Sequence, residues 1–149
     1  MNTTLSPATL SPSPGAASLA GMQVLVIDDD PFVHELLGSM LAKLGIQRVS
    51  RAADGQAGVA ALAAGRQPDL VICDLHMPGK DGFQVMEDMA ARGYEGAVLL
   101  LSGMEQRVLN SAALMGRFHH LHLLGVLQKP VSRQVLGELL GKVRLKGTV

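Results

Sequence analysis

The sequence contains few of the residues that mark several large classes of protein. Among its 149 residues there is one cysteine, Cys73, there is no tryptophan, and aromatic residues make up only 3%. A single cysteine excludes an internal disulfide and favours a reducing compartment. Lys and Arg number 13, as do Asp and Glu, so the formal net charge is zero. This balance indicates no basic surface for nucleic acid.

Long apolar runs and a leader segment are also missing. The longest apolar runs have about the length of a strand, well below the roughly 20 residues that span a bilayer. The N-terminus has no basic region ahead of an apolar stretch, so no signal peptide is indicated. We therefore expect a cytoplasmic protein without a membrane segment. A chain of 149 residues predicts one domain that can bury a sizeable core.

The chain divides into a tail and one alternating domain. Residues 1–20 are rich in Ser, Thr, Pro and Ala without a charged side chain, which predicts a disordered tail. Within residues 21–146, strands and helices are expected to alternate strictly. We predict strands over residues 22–27, 46–51, 70–73, 97–101 and 124–128, and helices over 31–44, 54–64, about 83–92, 104 to about 121, and 131–143. This order predicts the α/β class, with a doubly wound, five-stranded parallel sheet and five helices.

Carboxylates follow two of the predicted strands. Asp28, Asp29 and Asp30 follow the first, and Asp74 follows the third. Because the carboxyl ends of parallel strands meet at one edge of a sheet, we expect one acidic pocket there. Clustered carboxylates suit a hard cation such as Mg²⁺. Asp30 is better explained as the cap of the next helix, with Pro31 at its first position.

Three further features of this edge indicate phosphoryl chemistry. The Asp74 carboxylate can form an acyl phosphate if a metal neutralises the incoming oxygens. The hydroxyl of Ser102 can donate to a phosphoryl oxygen, and the ammonium of Lys129 can neutralise its charge. Alone, each has a plainer explanation: a turn-initiating Asp, a Ser-Gly turn and a solvated Lys. Together they predict a site that places a phosphoryl group on Asp74.

At this point the pattern resembles the receiver domain of two-component response regulators. The resemblance extends over about residues 22–146, nearly everything outside the tail. The matching segments are Asp28-Asp29-Asp30, Asp74-Leu75-His76-Met77-Pro78-Gly79-Lys80-Asp81-Gly82, Ser102-Gly103 and Lys129-Pro130. Such domains have the flavodoxin-like fold and accept a phosphoryl group from a histidine kinase or a phosphotransfer protein.

The resemblance implies a role for each matched residue. Asp74 is the phospho-acceptor, and Ser102 and Lys129 bind the phosphoryl group. The ligands of Mg²⁺ are expected to be Asp28, Asp29, Asp74 and the backbone carbonyl of His76. The resemblance also implies that the chain assists only its own phosphorylation and dephosphorylation. Its output is expected through a protein partner, or a second copy, on the face formed by the fourth helix, fifth strand and fifth helix.

The sequence departs from the receiver pattern at one position that matters for signalling. The family usually has Tyr or Phe in the fifth strand, three residues before the lysine, whereas this chain has Val126. Phe118 and Tyr94 are the candidates to replace the missing ring. Residues 109–114 and 123–131 look like receivers joined to EAL-type cyclic-di-GMP phosphodiesterase domains.

Two other functions use the same residues. The first is a receiver-like scaffold that acts by binding without phosphorylation. The second is a phosphatase with an aspartyl nucleophile, which usually needs a substrate-covering cap and a second acid or base. Outside the acidic edge, His119, His120 and His122 are best explained as a solvated helix end, and Cys73 as a buried core thiol.

Overall fold

The fold is a single parallel sheet with helices on both faces. The computed structural model describes residues 19–103, 117–118 and 120–143. Its strands are β1 Gln23–Ile27, β2 Arg48–Ala52, β3 Leu70–Asp74, β4 Ala97–Ser102 and β5 His122–Gln128. Its helices are α1 Pro31–Lys43, α2 Gly55–Ala63, α3 Gly82–Ala91 and α4 Arg133–Leu140. The strand order is β2-β1-β3-β4-β5, and all neighbouring strands are parallel.

This topology confirms the predicted doubly wound, five-stranded parallel sheet. The helix predicted over residues 104 to about 121 falls mostly outside the described residues, so α4 is the fifth helix of the prediction. Residue 117 is helical, whereas residues 118 and 120 lie in a turn. Strand β5 begins at His122, two residues earlier than predicted, so His122 belongs to a strand and not to a helix end.

Two apolar cores lie on opposite faces of the sheet because strand side chains alternate between the faces. On one face, Leu25, Ile27, Val71 and Cys73 pack beneath α2 and α3. On the other face, Val24, Val26, Leu70 and Ile72 pack beneath α1 and α4. β3 and β4 are buried along their whole length, as expected for strands covered on both faces.

Each described helix begins with a side-chain cap. Asp30 Oδ1 accepts a hydrogen bond from the Phe32 amide at 2.9 Å, with Pro31 at the first helical position. This contact confirms that Asp30 caps α1. The caps of α2, α3 and α4 are Asp54, Asp81 and Ser132. Because every helix follows a strand, all four begin near the carboxyl edge of the sheet.

The amino-terminal ends of the strands, opposite the acidic residues, are held by buried polar contacts. Asp69 Oδ2 accepts from the Gln23 amide at 2.8 Å, which ties β3 to β1. The Tyr94 hydroxyl lies 3.0 Å from the Pro68 carbonyl and 3.3 Å from that of Ala97. Burial, and then the nearby charge of Asp69, raises the pKa of Tyr94. These contacts fix the sheet at the end remote from the acidic residues.

Only the last two residues of the tail predicted over residues 1–20 belong to the described part of the chain. Residues 1–18 lie outside the described residues. Leu19 is partly buried against the α1–α4 core, and its carbonyl accepts from the Met22 amide at 3.1 Å. Within the part of the chain that the structure describes, no helix has the length and apolar character needed to cross a membrane.

Candidate functional site

Three carboxylates meet at the carboxyl edge of the two central strands. Asp28 follows β1 directly, Asp74 ends β3, and the two strands pair with Ile27 opposite Cys73. One ligand oxygen from each of Asp28, Asp29 and Asp74 lies within 4.8 Å of the others. Asp28 is fully buried and Asp74 is 4% exposed, whereas Asp29 is open to solvent. The acidic pocket predicted from the strand ends is therefore present.

Lys129 supplies the positive charge of this pocket. It follows β5, and its side chain extends past β4 toward the two central strands. Its Nζ lies 3.0 Å from Asp28 Oδ2 and 3.2 Å from Asp74 Oδ2. Its backbone amide donates to the Ser102 carbonyl at 2.8 Å, and the peptide that joins it to Pro130 is cis. One ammonium group thus pairs with two buried carboxylates.

Ser102 and His76 lie on the same edge. Ser102 is fully buried at the end of β4, next to Leu101, which pairs with Asp74 across the sheet. Its Oγ lies 3.4 Å from the Gly103 carbonyl. His76 is exposed in the loop after β3, and its amide donates to Asp74 Oδ1 at 3.3 Å. The structure therefore brings every sequence-predicted site residue to one edge of the sheet.

The electrostatics of the pocket reflect an excess of buried negative charge. Burial is the largest cause that raises the pKa of Asp74, and the charge of Asp28 is the second. The nearby Lys129 acts in the opposite direction but does not cancel them. Burial alone would lower the pKa of Lys129, but its contacts with Asp28 and Asp74 outweigh this effect and raise it. The charged form of a carboxylate whose pKa is raised in this way is stabilised by a bound cation.

The residues fit a magnesium ion. Mg²⁺ prefers carboxylate and carbonyl oxygens in an octahedron, where neighbouring ligand oxygens lie roughly 3 Å apart and opposite ones about 4 Å. The three carboxylates offer oxygens within 4.8 Å of one another, close to that spacing. The exposure of Asp29 leaves room for the water molecules that Mg²⁺ usually keeps. Both the donor set and its spacing therefore suit this metal.

The loop after Asp74 is closely packed against the rest of the site. A side chain on Gly82, the first residue of α3, would place its Cβ 2.5 Å from the Asp74 carbonyl oxygen and 2.7 Å from the Leu75 Cα. A Cβ on Gly55, the first residue of α2, would overlap the carbonyl oxygen of Lys80. Both glycines are needed because the backbones themselves are in contact. Asp74 is thus positioned directly by the start of α3.

One buried polar residue near the pocket did not enter the sequence-based site. His34 in α1 is 7% exposed, and its Nε2 lies 2.8 Å from the Asp28 carbonyl oxygen. Its spacing from Leu37 and Leu41 places it on the apolar face of the helix. A histidine at helical core spacing, six residues after the acidic cluster, is the sequence signal that could have identified it.

The other residues considered from the sequence have simpler roles. Cys73 is fully buried in the α2–α3 core, which confirms the core-thiol prediction. Burial, and then the charges of Asp74 and Asp28, raises the pKa of its thiol. His120 and His122 are exposed, and His119 lies outside the described residues. Among the described residues, the only group of three ligands close enough for a metal is the carboxylate cluster.

Comparison with known families agrees with the geometry. The family model for the response regulator receiver domain matches residues 24–140. The chain belongs to this receiver family. A receiver domain from Clostridium thermocellum superimposes with a TM-score of 0.69 at 24% identity, covering 80% of this chain and 90% of that one. The similarity of this structure supports the same receiver fold.

Curated relatives with the same receiver segment are considerably longer proteins. The Regulator of RpoS of Escherichia coli K12 is 36% identical over 114 residues, or 76% of this chain and 32% of that protein. The cyclic di-GMP phosphodiesterase RocR of Pseudomonas aeruginosa is 32% identical over 119 residues, 80% of this chain and 30% of that protein. The chain thus spans about one third of their length.

Proposed function

We propose that this receiver domain accepts a phosphoryl group on Asp74 from the phosphohistidine of a histidine kinase or phosphotransfer protein. One observation carries the proposal. The Asp74 carboxylate has a lysine ammonium at 3.2 Å and two more carboxylates within 4.8 Å, all at the open edge of a parallel sheet. This arrangement combines a nucleophile, a cation and a metal-binding group, the parts that phosphoryl transfer to an aspartate requires.

The metal site is proposed to consist of Asp28, Asp29, Asp74 and the backbone carbonyl of His76. A bound Mg²⁺ would neutralise the charge on the phosphoryl oxygens as they approach the carboxylates. Asp28 is fixed by its own contacts, since its Oδ1 accepts from the Asp30 amide at 2.8 Å. Asp29 is free to adjust because its side chain faces solvent. Of the two carboxylates that follow β1, Asp28 is thus rigid and Asp29 is adaptable.

Phosphoryl transfer depends mainly on the alignment of the Asp74 oxygen, the phosphorus atom and the donor nitrogen. One carboxylate oxygen of Asp74 attacks phosphorus in line with the breaking bond to the donor imidazole, whose nitrogen keeps the electron pair and takes up a proton. The product is an acyl phosphate on Asp74. Lys129, already beside Asp28 and Asp74, donates to one phosphoryl oxygen, and the Ser102 hydroxyl donates to another.

A groove beside the pocket suits the phosphodonor protein. It has a volume of about 310 Å³, is lined by Phe32, Leu36, Pro130 and Val131 among others, and reaches Lys129. Phe32 on its rim is 69% exposed, and with the other apolar residues of the groove it offers a surface that a partner protein could cover. We propose that the donor protein packs on Phe32 as it presents its phosphohistidine to Asp74.

The output is proposed to pass through the Ser102-Gly103 turn into the segment that follows it. Val126 stands where receivers usually have an aromatic ring, and it is only partly buried. Tyr94 is a poor substitute because its hydroxyl contacts backbone carbonyls at the opposite edge of the sheet. We propose that a downstream protein, or a second copy, binds the face of residues 104–121, β5 and α4.

The aromatic ring of Phe118 is also unsuited to rotate between two states. It is 4% exposed within the α2–α3 core. The guanidinium of Arg117 lies 5.0 Å from the Phe118 ring centroid and 5.7 Å from that of Phe83 on α3. Arg117 also forms an ion pair with Glu87 at 3.1 Å. These contacts hold the end of the segment against α3, so displacement of the segment would start at its other end, after Gly103.

The acceptor role is tested by mass spectrometry after treatment with a small phosphodonor such as acetyl phosphate. The unchanged protein is expected to gain one phosphoryl group only with Mg²⁺ present, and Asp74→Asn to gain none. Asp30→Asn is the matched control, because Asn also caps a helix and Asp30 is outside the proposed metal site. Labelling of Asp74→Asn, or labelling that a chelator leaves unchanged, would contradict the proposal, whereas an unchanged protein that gains no phosphoryl group with Mg²⁺ present would favour a scaffold role.

A further inference from the structure

The ring of His34 is buried beneath the acidic pocket. The ring lies on the inner face of α1 together with Val33, Leu37 and Leu41, which are all buried. Its Nε2 lies 2.8 Å from the Asp28 carbonyl oxygen. Since a carbonyl oxygen can only accept, Nε2 carries the proton and donates it. In the neutral ring this contact corresponds to the Nε2–H tautomer, in which Nδ1 is an acceptor.

The Asp28 carbonyl needs this donor because of its place in the fold. The Asp28 amide still donates to the Ala52 carbonyl at 3.1 Å, in continuation of the sheet. The paired register of β1 with β3 ends one residue earlier, at Ile27. A buried carbonyl that leaves a sheet must find another partner. The side chain of His34, six residues later in the first turns of α1, provides it.

The hydrogen bond to the Asp28 carbonyl explains why an imidazole occupies this position on the apolar face of α1. Nδ1 is buried and has no hydrogen-bond partner in the part of the chain that the structure describes. A polar ring on an apolar helix face is unfavourable unless its polar atoms are used. An aliphatic side chain would fill the same space among Val33, Leu37 and Leu41. The one polar contact that an aliphatic side chain could not make is the hydrogen bond to the Asp28 carbonyl.

That carbonyl belongs to the peptide joining Asp28 to Asp29, two of the proposed metal ligands. Holding this peptide fixes the direction in which both side chains leave the backbone. We propose that His34 is a positioning residue, which holds the Asp28–Asp29 peptide in the orientation that lets both carboxylates bind Mg²⁺. The inference rests on the proposed function, since it assumes that these carboxylates bind the metal.

The first experiment measures the Mg²⁺ affinities of His34→Leu and His34→Gln by isothermal titration calorimetry. The Gln side chain can place an amide N–H near the position of Nε2, whereas Leu has no donor. Loss of a group that orients metal ligands typically weakens metal affinity by 10-fold or more. We expect about a tenfold weaker Mg²⁺ affinity for His34→Leu and about a twofold change at most for His34→Gln.

Leu41→Val is the matched structural control. Leu41 lies about two turns further along the same buried face, away from the acidic pocket. We expect it to lower the melting temperature without changing Mg²⁺ affinity. Equal affinity losses in His34→Leu and Leu41→Val, or no loss in a folded His34→Leu, would overturn the positioning role alone. A wild-type protein that binds no Mg²⁺ would overturn the proposed function and this inference together.

A second measurement uses the unchanged protein, so it does not depend on whether a variant folds. Nitrogen chemical shifts of the imidazole rings report which ring nitrogen carries the proton. We expect the Nε2–H tautomer for His34, and a larger shift on addition of Mg²⁺ than for the exposed His122. The Nδ1–H tautomer, or a His34 signal insensitive to Mg²⁺, would overturn the inference.

Discussion

The ammonium nitrogen of Lys129 lies 3.2 Å from Asp74 Oδ2, although 55 positions separate the two residues in the chain. The same nitrogen lies 3.0 Å from Asp28 Oδ2. Two buried carboxylates therefore share one cation. A phosphoryl group on Asp74 would add negative charge next to this lysine, which is why Lys129 is expected to matter both for stability and for the phosphorylated state.

Replacing Lys129 by Met should destabilise the metal-free protein. Asp28 is fully buried and would lose its ion pair, as would Asp74. Removing one partner of a buried pair leaves an uncompensated charge, and we expect a loss of about 2 kcal/mol in the free energy of unfolding. Urea denaturation at neutral pH measures this loss. Lys129→Arg keeps the charge and should lose much less.

Magnesium gives this prediction a second readout. A bound cation would compensate the carboxylates that Lys129→Met leaves unpaired. The difference in unfolding free energy between Lys129→Met and the unchanged protein should therefore shrink when Mg²⁺ is added. A difference that stays the same at saturating Mg²⁺ would show that the lysine and the metal do not act on the same carboxylates.

Asp74→Asn should stabilise the metal-free protein at neutral pH. Burial, and then Asp28, raises the pKa of Asp74 in the folded state, so folding favours its protonated form. The resulting stability is complete below the ordinary carboxyl pKa of 3.8 and is lost as the pH rises through the raised value. Since Asn mimics the protonated acid, we expect a gain of about 1 kcal/mol, or a few degrees in Tm.

The pH dependence separates this effect from a general change in packing. Without metal, the Tm advantage of Asp74→Asn over the unchanged protein should be smallest near the ordinary carboxyl pKa of 3.8 and should grow as the pH rises through the raised pKa. Added Mg²⁺ should also reduce it, because the metal stabilises only the carboxylate. A constant advantage at every pH would contradict the raised pKa.

A Gly82→Ala substitution should impair both stability and phosphorylation. The new methyl group would lie 2.5 Å from the Asp74 carbonyl oxygen, so the backbone must move. We expect a loss of about 2 kcal/mol in unfolding free energy and slower labelling by acetyl phosphate. Gly38→Ala is the matched control inside α1, where the methyl group meets only Arg51 Nη2 at 3.5 Å. It should be neutral, or stabilising by about 0.5 kcal/mol, and should label normally.

Phe32→Ser should separate the binding of the donor protein from the chemistry. Phe32 is 69% exposed, so removal of its ring should change the unfolding free energy by less than about 0.5 kcal/mol. Phosphorylation by acetyl phosphate should be unchanged, whereas transfer from a phosphorylated donor protein should be slower by about tenfold or more. Equal rates for wild type and variant with the donor protein would exclude Phe32 from the docking groove.

The ionisation of Tyr94 tests whether its hydroxyl is buried at the amino-terminal ends of the strands. It is the one tyrosine in the sequence, which has no tryptophan, so phenolate absorbance reports it alone. Burial, and then Asp69, raises its pKa above the ordinary value of 10.0. The folded protein should therefore show no ionisation near pH 10, and absorbance should rise only as alkali unfolds the chain. Ionisation at the ordinary pH before unfolding, as seen by circular dichroism, would contradict this burial.

The sequence alone determined the alternation of strands and helices and the residues at the strand ends. These features are local: strand burial follows from short apolar runs, and helix starts follow from caps such as Asp30. Their combination was enough to place Asp28, Asp74, Ser102 and Lys129 at one edge, because parallel strands must end on the same side. The boundary of β5 was missed because His122 is exposed at the start of a strand beside an irregular register.

Only the tertiary structure decided which of these groups touch. The sharing of Lys129 between Asp28 and Asp74, the hydrogen bond from His34 to the Asp28 carbonyl and the contact of Tyr94 with Pro68 could not be predicted. Each depends on the reach and direction of a side chain between segments that are separate in the sequence. Patterns along the chain specify which face a residue occupies, but burial and the packing of neighbouring elements select its partner.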